Sequence, residues 1–139
     1  MEVTSVQNGI IIDHVPAGTA LKVLEYLKID PARTKLALIM NTDSRTYGTK
    51  DIIKIEGTVD VDLDVLGFVA RTATVGIVRD GVIVEKRSPR LPEHVVDVIT
   101  CRNPRCVTTV ERGIRQRFHL AHSERQEYRC DYCDEEAKL

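Results

Sequence analysis

Apolar residues in the first part of the chain recur with two different periods, which predict strands alternating with helices. Residues 6–13 end in a β-branched run and predict a buried strand that the residues from 14 to 18 interrupt. Residues 35–40 predict a second strand. Between these strands Thr19 has the residue type of a helix N-cap, and apolar residues follow it at helical spacing: Ala20, Leu21, Leu24 and Leu27.

The stretch 50–56 predicts a third strand with two different faces, after a polar loop at 41–49. Alternation places on one face Asp51, Ile53 and Ile55, and on the other Lys50, Ile52, Lys54 and Glu56. Residues 62–70 predict a second helix with acids in its first turn, where the helix dipole favours them. Its inner positions are Leu63, Leu66 and Ala70.

Two further strands, at 74–78 and 82–86, flank Asp80-Gly81, a dipeptide typical of tight hairpins. The resulting order is βαββαβ plus one strand, which predicts an α+β domain of the ferredoxin-like type. Two prolines in the basic segment 87–92 indicate a linker. We therefore expect an N-terminal domain at 1–92 and a small β domain at 93–139, the latter with a short connector, a hairpin near 107–110 and a strand at 118–121.

All four cysteines lie in the second domain, with the spacing C-x4-C-x23-C-x2-C: Cys101, Cys106, Cys130 and Cys133. Two short cysteine pairs on turns can converge on one tetrahedral ion, so the spacing predicts a structural, zinc-ribbon-like site for one Zn²⁺. Four thiolates leave no open position for catalysis. The alternatives are two disulfides, four free thiols, or iron in place of zinc.

The composition narrows the possible functions. Charged residues make up 29% of the chain and the net charge is −1, so bulk electrostatics do not indicate a polyanion-binding protein. No apolar run approaches the length of a membrane span, and glycine-rich phosphate-binding motifs are absent from the sequence. The N-terminal residues carry no basic segment followed by a long apolar one. We therefore expect a cytoplasmic protein.

Two alternative functions follow from local patterns. Residues 86–129 carry ten Lys/Arg against five Asp/Glu, which fits a zinc-ribbon protein that binds nucleic acid, although aromatic residues for base stacking are few. The Asp13-His14 pair at the end of the first strand could serve a free-standing enzyme. No nucleophile lies near this pair in the sequence, so nucleic-acid binding ranks above enzymatic activity.

Five segments, in the same order along almost the whole chain, resemble the regulatory chains of aspartate carbamoyltransferase. They are GIIIDHVPAG at 9–18, KDIIKIEG at 50–57, LPEHVVDV at 91–98, CRNPRC at 101–106 and YRCDYC at 128–133. The resemblance implies a non-catalytic subunit of pyrimidine biosynthesis. Its N-terminal domain would bind the effectors CTP and ATP, and its zinc domain would dock on the catalytic chain. Regulatory dimers that bridge catalytic trimers are also implied.

The resemblance also implies particular effector-site residues. Asp13 and His14 would contact ribose and phosphate, Lys54 ribose and base, and Lys86 the phosphates. Three apolar residues would line the pocket: Val6, Ile11 and Ile83. The chain departs from better-known members at Gly76 and Gly81, where those members carry Asn and Tyr. The four cysteines match the zinc ligands of the family one for one.

Overall fold

A computed structural model describes residues 5–139, and five strands and two helices make up the first unit, which ends at Arg90. Its elements are β1 (Gly9–Pro16), α1 (Ala20–Tyr26), β2 (Lys35–Ser44), β3 (Gly48–Glu56), α2 (Leu63–Val69), β4 (Thr74–Arg79) and β5 (Val82–Arg87). The strands form one antiparallel sheet in the order β2-β3-β1-β4-β5. This arrangement confirms the predicted βαββαβ fold with one added edge strand.

The two faces of this sheet have different surroundings. On one face Ile12, Ile53 and Val75 pack with residues of α1 and α2, such as Val23 and Leu66, to form the core. Alternation sends the residues between these core positions to the opposite side, which we call the outer face. The fold thus leaves one face of the sheet without helices from this unit.

Strand β1 continues past the point where the sequence predicted its end. Its pairing with β3 shifts between Ile12 and Val15, so Asp13 and His14 form a β-bulge. His14 has a φ of 58°, which is uncommon for a residue other than glycine. Strands β2 and β3 are likewise longer than predicted, and they reduce the expected loop at 41–49 to a short turn.

Helix α1 differs from its prediction in two side chains. Leu21 was assigned to the inner stripe but is 61% exposed, and Val23 is buried in its place. Thr19 occupies the N-cap position, yet its side chain makes no capping hydrogen bond. Instead the backbone N–H of Ala20 donates to the buried carboxylate of Asp51 on β3, at 3.0 Å.

Helix α2 supports the segment that leaves the first unit. The backbone N–H of Arg90 donates to the carbonyl of Leu63 at 3.4 Å, and its guanidinium lies 3.8 Å from the Asp64 carboxylate. A Cβ added to Gly67 would lie 1.7 Å from the Arg90 carbonyl oxygen. Helix and segment therefore approach closely only because residue 67 has no side chain.

The second unit runs from Leu91 to Leu139 and contains β6 (His94–Val96), α3 (Val107–Val110), β7 (Arg117–His122) and β8 (Glu127–Cys130). The three strands form an antiparallel sheet in chain order. Val95, Phe118 and Tyr128 are buried from one strand each. The hairpin predicted near 107–110 is wrong, because these residues form a single helical turn immediately after Cys106.

Within residues 5–139 no helix has the length and apolarity needed to cross a membrane.

Candidate metal centre and ligand-binding face

The four cysteine thiols converge at one point of the second unit. All four sulfur atoms lie within 4.8 Å of one another, with 3.5 Å between Cys101 and Cys133 and 3.7 Å between Cys106 and Cys130. A disulfide would need about 2.05 Å between sulfurs, so none of these pairs is bonded. Tetrahedral zinc with bonds of about 2.3 Å requires sulfurs about 3.8 Å apart. The cluster fits one such ion.

Local hydrogen bonds shape the two turns that present these thiols. In the first turn the side chain of Asn103 accepts the Arg105 N–H at 3.0 Å, and its carbonyl accepts the Cys106 N–H at 3.1 Å. In the second turn the Cys130 carbonyl accepts the Asp134 N–H at 3.0 Å. Cys130 ends β8 and pairs with Phe118 on β7, so the small sheet fixes its position.

The thiols differ in acidity in the absence of a metal. Burial raises the pKa of Cys101 to about 12, which the backbone N–H of Asn103 offsets only in part. Burial also opposes ionisation of Cys106, but hydrogen bonds from the Thr108 hydroxyl and backbone outweigh it and lower the pKa of Cys106 to about 7. The Thr108 hydrogen bonds thus favour the thiolate form of Cys106, which is the form that binds a metal ion.

The metal centre is structural in character. Cys101, Cys106 and Cys130 are buried and Cys133 is half-buried, so the four thiolates would fill a tetrahedral coordination sphere. When bound, Zn²⁺ would cross-link the two turns. Among the described residues, only the four cysteines come together at this centre. With four thiolates bound, the ion would have no open position for a substrate.

A second group of predicted residues lies on the outer face of the first unit. One row of paired residues crosses all five strands there, with two lysines separated by a flat apolar floor: Ala37, Lys54, Ile11, Gly76 and Lys86. Three strand spacings separate Lys54 from Lys86, or about 14 Å between their backbones. The structure thus places Ile11, Lys54 and Lys86 in one line.

The neighbouring row contributes apolar surface. Ile83 pairs with Val78 in this row, and its side chain would be 3.6 Å from a Cβ added to Gly76. Ile83 is 47% exposed at the edge strand. Val6 is buried and, together with Lys54, lines a separate cavity of about 120 Å³ near β2. Val6 therefore lies close to Lys54, near the β2 edge of the sheet.

Asp13 lies at the end of the face next to an unpredicted partner. The Lys50 ammonium is 2.9 Å from its carboxylate, and the His14 N–H donates to the same oxygen at 2.6 Å. Partial burial opposes ionisation of Asp13, but these hydrogen bonds outweigh it and hold its pKa below the ordinary value. Asp13 is thus an ionised carboxylate whose charge Lys50 offsets.

His14 is held at several points by residues that the sequence analysis also did not single out. Its ring Nδ1 is 3.1 Å from the Thr74 hydroxyl, and its carbonyl accepts the Thr72 hydroxyl at 2.8 Å. The Tyr47 ring contacts the imidazole edge to face, with 6.2 Å between ring centroids. The alternation in 50–56 already placed Lys50 on the Lys54 face, but no local pattern indicated Thr72, Thr74 or Tyr47.

Comparison with known proteins places both units in the same family. Residues 1–90 match the family described as the allosteric domain of the aspartate carbamoyltransferase regulatory chain, and residues 93–138 match its metal binding domain.

Individual relatives agree over nearly their whole length. The aspartate carbamoyltransferase regulatory chain of Bifidobacterium longum is 79% identical over 139 residues, which is all of both chains. Those of Clostridium acetobutylicum and Clostridium botulinum are 47% and 44% identical over 135 residues, which cover 97% of this chain and 92% of each relative.

Proposed function

Because this chain belongs to the family of aspartate carbamoyltransferase regulatory chains, we propose that it carries nucleotide effector signals to a catalytic chain. The chain is a regulatory rather than a catalytic subunit, with an allosteric domain followed by a metal-binding domain. The comparisons favour this function over the nucleic-acid-binding alternative. CTP and ATP are the proposed effectors, and the outer face of the first unit is their proposed site.

The row that joins Lys54 to Lys86 is the main support for nucleotide binding on this face. Two ammonium groups at opposite ends of an apolar floor suit a ligand with a flat base at one end and phosphates at the other. Gly76 in this floor adds no side chain of its own, and the Ile83 side chain lies beside it. Asp13 and His14, at the end of the sheet, would complete the site near ribose and phosphate.

The second unit is proposed to serve docking. With only 49 residues from Leu91 to Leu139, it buries little apolar surface, and zinc would stabilise it by cross-linking its turns. Val110 and Tyr132, next to the metal-binding turns, expose apolar surface that a catalytic chain could cover. Loss of zinc would then remove the docking surface.

The assembly and its location complete the proposal. We propose that two copies of this chain form a regulatory dimer, and that the complex works in the cytoplasm on pyrimidine synthesis. Effector and substrate would shift the same equilibrium between two conformational states. The coupling free energy between their binding would be about 1–3 kcal/mol, and each ligand would change the affinity for the other by the same factor.

Calorimetric titration of the intact, zinc-loaded chain tests the effector site. CTP and ATP are each titrated into the wild type, and a single-stranded oligonucleotide is titrated in parallel. We expect the two nucleotides to compete for one site, and Lys86→Ala to weaken both by about 10- to 100-fold, because a charge-assisted contact to phosphate is lost. The control Lys22→Ala removes an exposed lysine on α1, away from the outer face, and should change neither affinity.

Two outcomes would reject this proposal. Nucleotide affinities that are equal in wild type and Lys86→Ala would place the site elsewhere. Tight oligonucleotide binding without saturable CTP or ATP binding would support the nucleic-acid alternative instead.

A further inference from the structure

Gln116 immediately precedes β7, and its side chain contacts the backbone of a metal-binding cysteine. The backbone N–H of Cys101 donates to the side-chain oxygen of Gln116 at 2.9 Å, although the two residues lie 15 positions apart in the sequence. Gln116 is half-buried and Cys101 is buried. A neutral amide is not a usual ligand of a four-thiolate zinc ion, so this side chain would hold a ligand residue rather than bind the ion.

Two hydrogen bonds to Asp97 fix the backbone of Gln116. The Gln116 carbonyl accepts the Asp97 N–H at 2.7 Å, and the Gln116 N–H donates to the Asp97 carboxylate at 2.9 Å. These bonds lie directly beyond the last residue pair of β6 with β7, which is Val96 with Arg117. Asp97 has a φ of 57°, in the left-handed region that Asp adopts more readily than most residues. The end of β6 therefore sets the position from which the Gln116 side chain extends.

The residues that follow connect β7 to the other cysteine turn. The Arg117 carbonyl accepts the N–H of Asp131 at 2.9 Å, and Phe118 pairs with Cys130 in the sheet. The start of β7 thus contacts both cysteine turns, one through main-chain groups and the other through a side chain. The main-chain contacts accompany strand pairing, whereas the contact with Cys101 depends on one amide group.

Cys101 lies in an irregular part of the chain, because residues 97–103 belong to no helix or strand. The N–H groups of Cys106 and Cys130 donate to main-chain carbonyls at 3.1 and 2.9 Å, but that of Cys101 donates to a side chain. Without this acceptor a buried N–H would be left unsatisfied, which costs more than an average hydrogen bond contributes. Movement of Cys101 would also change its sulfur distance to Cys133, now 3.5 Å, and thus the fit to a tetrahedral ion.

We propose that Gln116 is a positioning residue of the metal centre, which holds the backbone of Cys101 in the place that zinc requires and so slows loss of the ion. Its contribution acts through Cys101, since the amide oxygen binds the cysteine N–H and leaves the thiolate to the metal. The inference concerns the metal centre alone and does not depend on the proposed nucleotide site. It adds to the four-cysteine motif a residue that the spacing of the cysteines does not indicate.

The test measures the Zn²⁺ affinity of the intact chain by competition with a chromophoric chelator. Gln116→Met keeps an unbranched side chain of similar length but removes the acceptor oxygen. We expect it to weaken Zn²⁺ binding about tenfold, because the Cys101 N–H loses its acceptor. Gln116→Glu keeps an acceptor oxygen and should stay within about threefold of wild type. Gln126→Met, the same substitution at an exposed residue of the β7–β8 turn, is the matched control and should leave the affinity unchanged.

Amide hydrogen exchange of the zinc-loaded protein distinguishes positioning of Cys101 from a general loosening of the fold. In Gln116→Met we expect the Cys101 N–H to exchange about tenfold faster or more, while the N–H groups of Cys106 and Cys130 keep their wild-type rates. Wild-type Zn²⁺ affinity in Gln116→Met would overturn the inference, and so would equal acceleration of exchange at all three cysteines. A Gln116→Glu variant that binds Zn²⁺ as weakly as Gln116→Met would also overturn it, because the acceptor oxygen would then make no difference.

Discussion

Asp51 caps helix α1 in place of the Thr19 side chain that the sequence indicated. It is buried among apolar residues of the core face, and its two carboxylate oxygens accept the N–H groups of Ala20 at 3.0 Å and Asn41 at 2.8 Å. Asn41 has a φ of 56° and lies where the pairing of β2 with β3 shifts. One side chain on β3 thus accepts backbone N–H groups both at the start of α1 and at the irregularity in β2.

Replacing this carboxylate should destabilise the first unit. In Asp51→Asn one oxygen is exchanged for an NH₂ group that faces a backbone N–H, so a buried donor loses its acceptor. We expect the free energy of unfolding to fall by about 1–3 kcal/mol in urea titration. Asp43→Asn, at an exposed position of β2, should change it by less than about 0.5 kcal/mol. Equal effects of the two variants would show that the hydrogen bonds of Asp51 do not contribute to stability.

Single residues of the candidate sites were predictable to different degrees. Lys54 and Ile11 share a face because strand alternation follows from the sequence alone, and the cysteines converge as their spacing indicated. The contacts of His14 with Tyr47 and Thr72 depend on a bulge and on residues 33 and 58 positions away. Neither composition nor periodicity indicates contacts between residues that are so far apart in the sequence. This part of the site therefore could not be predicted.

At the scale of elements, the β4–β5 hairpin shows how two glycines of the candidate site serve different purposes. Asp80 and Gly81 have φ values of 50° and 80°, which the tight turn requires. A Cβ on Gly81 would lie 3.2 Å from the Gln7 side chain, whereas one on Gly76 would find ordinary contacts at 3.6–3.8 Å. The turn requires its glycine, but the strand does not.

We therefore expect Gly81→Ala and Gly76→Ala to change stability in opposite directions. Gly81→Ala should lower the free energy of unfolding by about 1–2 kcal/mol, because alanine is strained at this φ. Gly76→Ala should raise it by up to about 1 kcal/mol, since the unfolded chain loses freedom and the strand accepts a methyl group. Thermal and urea unfolding of both variants provide the measurement, and a destabilised Gly76→Ala would contradict the available space at that position.

Elements with a strong period were predicted well and short ones poorly. The two helices and five strands of the first unit appear in the predicted order, because the 2.0-residue period extended over several residue pairs and the 3.6-residue period over about two turns of each helix. Residues 107–110 were predicted as a hairpin. They form one helical turn because Cys106 must direct its sulfur to the other cysteines, a tertiary requirement that overrides local propensity.

At the scale of the whole molecule, the two units should depend on metal to different extents. The first unit has a continuous core of its own, whereas the buried residues of the second include three of the four cysteines. Metal binding therefore contributes directly to folding of the second unit.

Chelation should accordingly unfold one unit and spare the other. After zinc removal we expect two-dimensional NMR to show collapsed amide dispersion for residues 91–139 and unchanged signals for 9–87, because only the second unit lacks a sufficient core. Adding back one equivalent of Zn²⁺ should restore the spectrum and serves as the control. Retained dispersion of the 91–139 signals in the metal-free protein would show that the sheet of this unit folds without zinc.

The close approach of α2 to the segment at Arg90 has an evolutionary consequence. Any substitution of Gly67 would drive a side-chain carbon into the Arg90 carbonyl, so this position can change only if the path of the chain at 90 changes with it. Random single mutations cannot make both changes at once. In a mutational scan scored for survival, substitutions at position 67 should therefore be depleted, while Asp64, the one exposed residue of α2, should tolerate substitution.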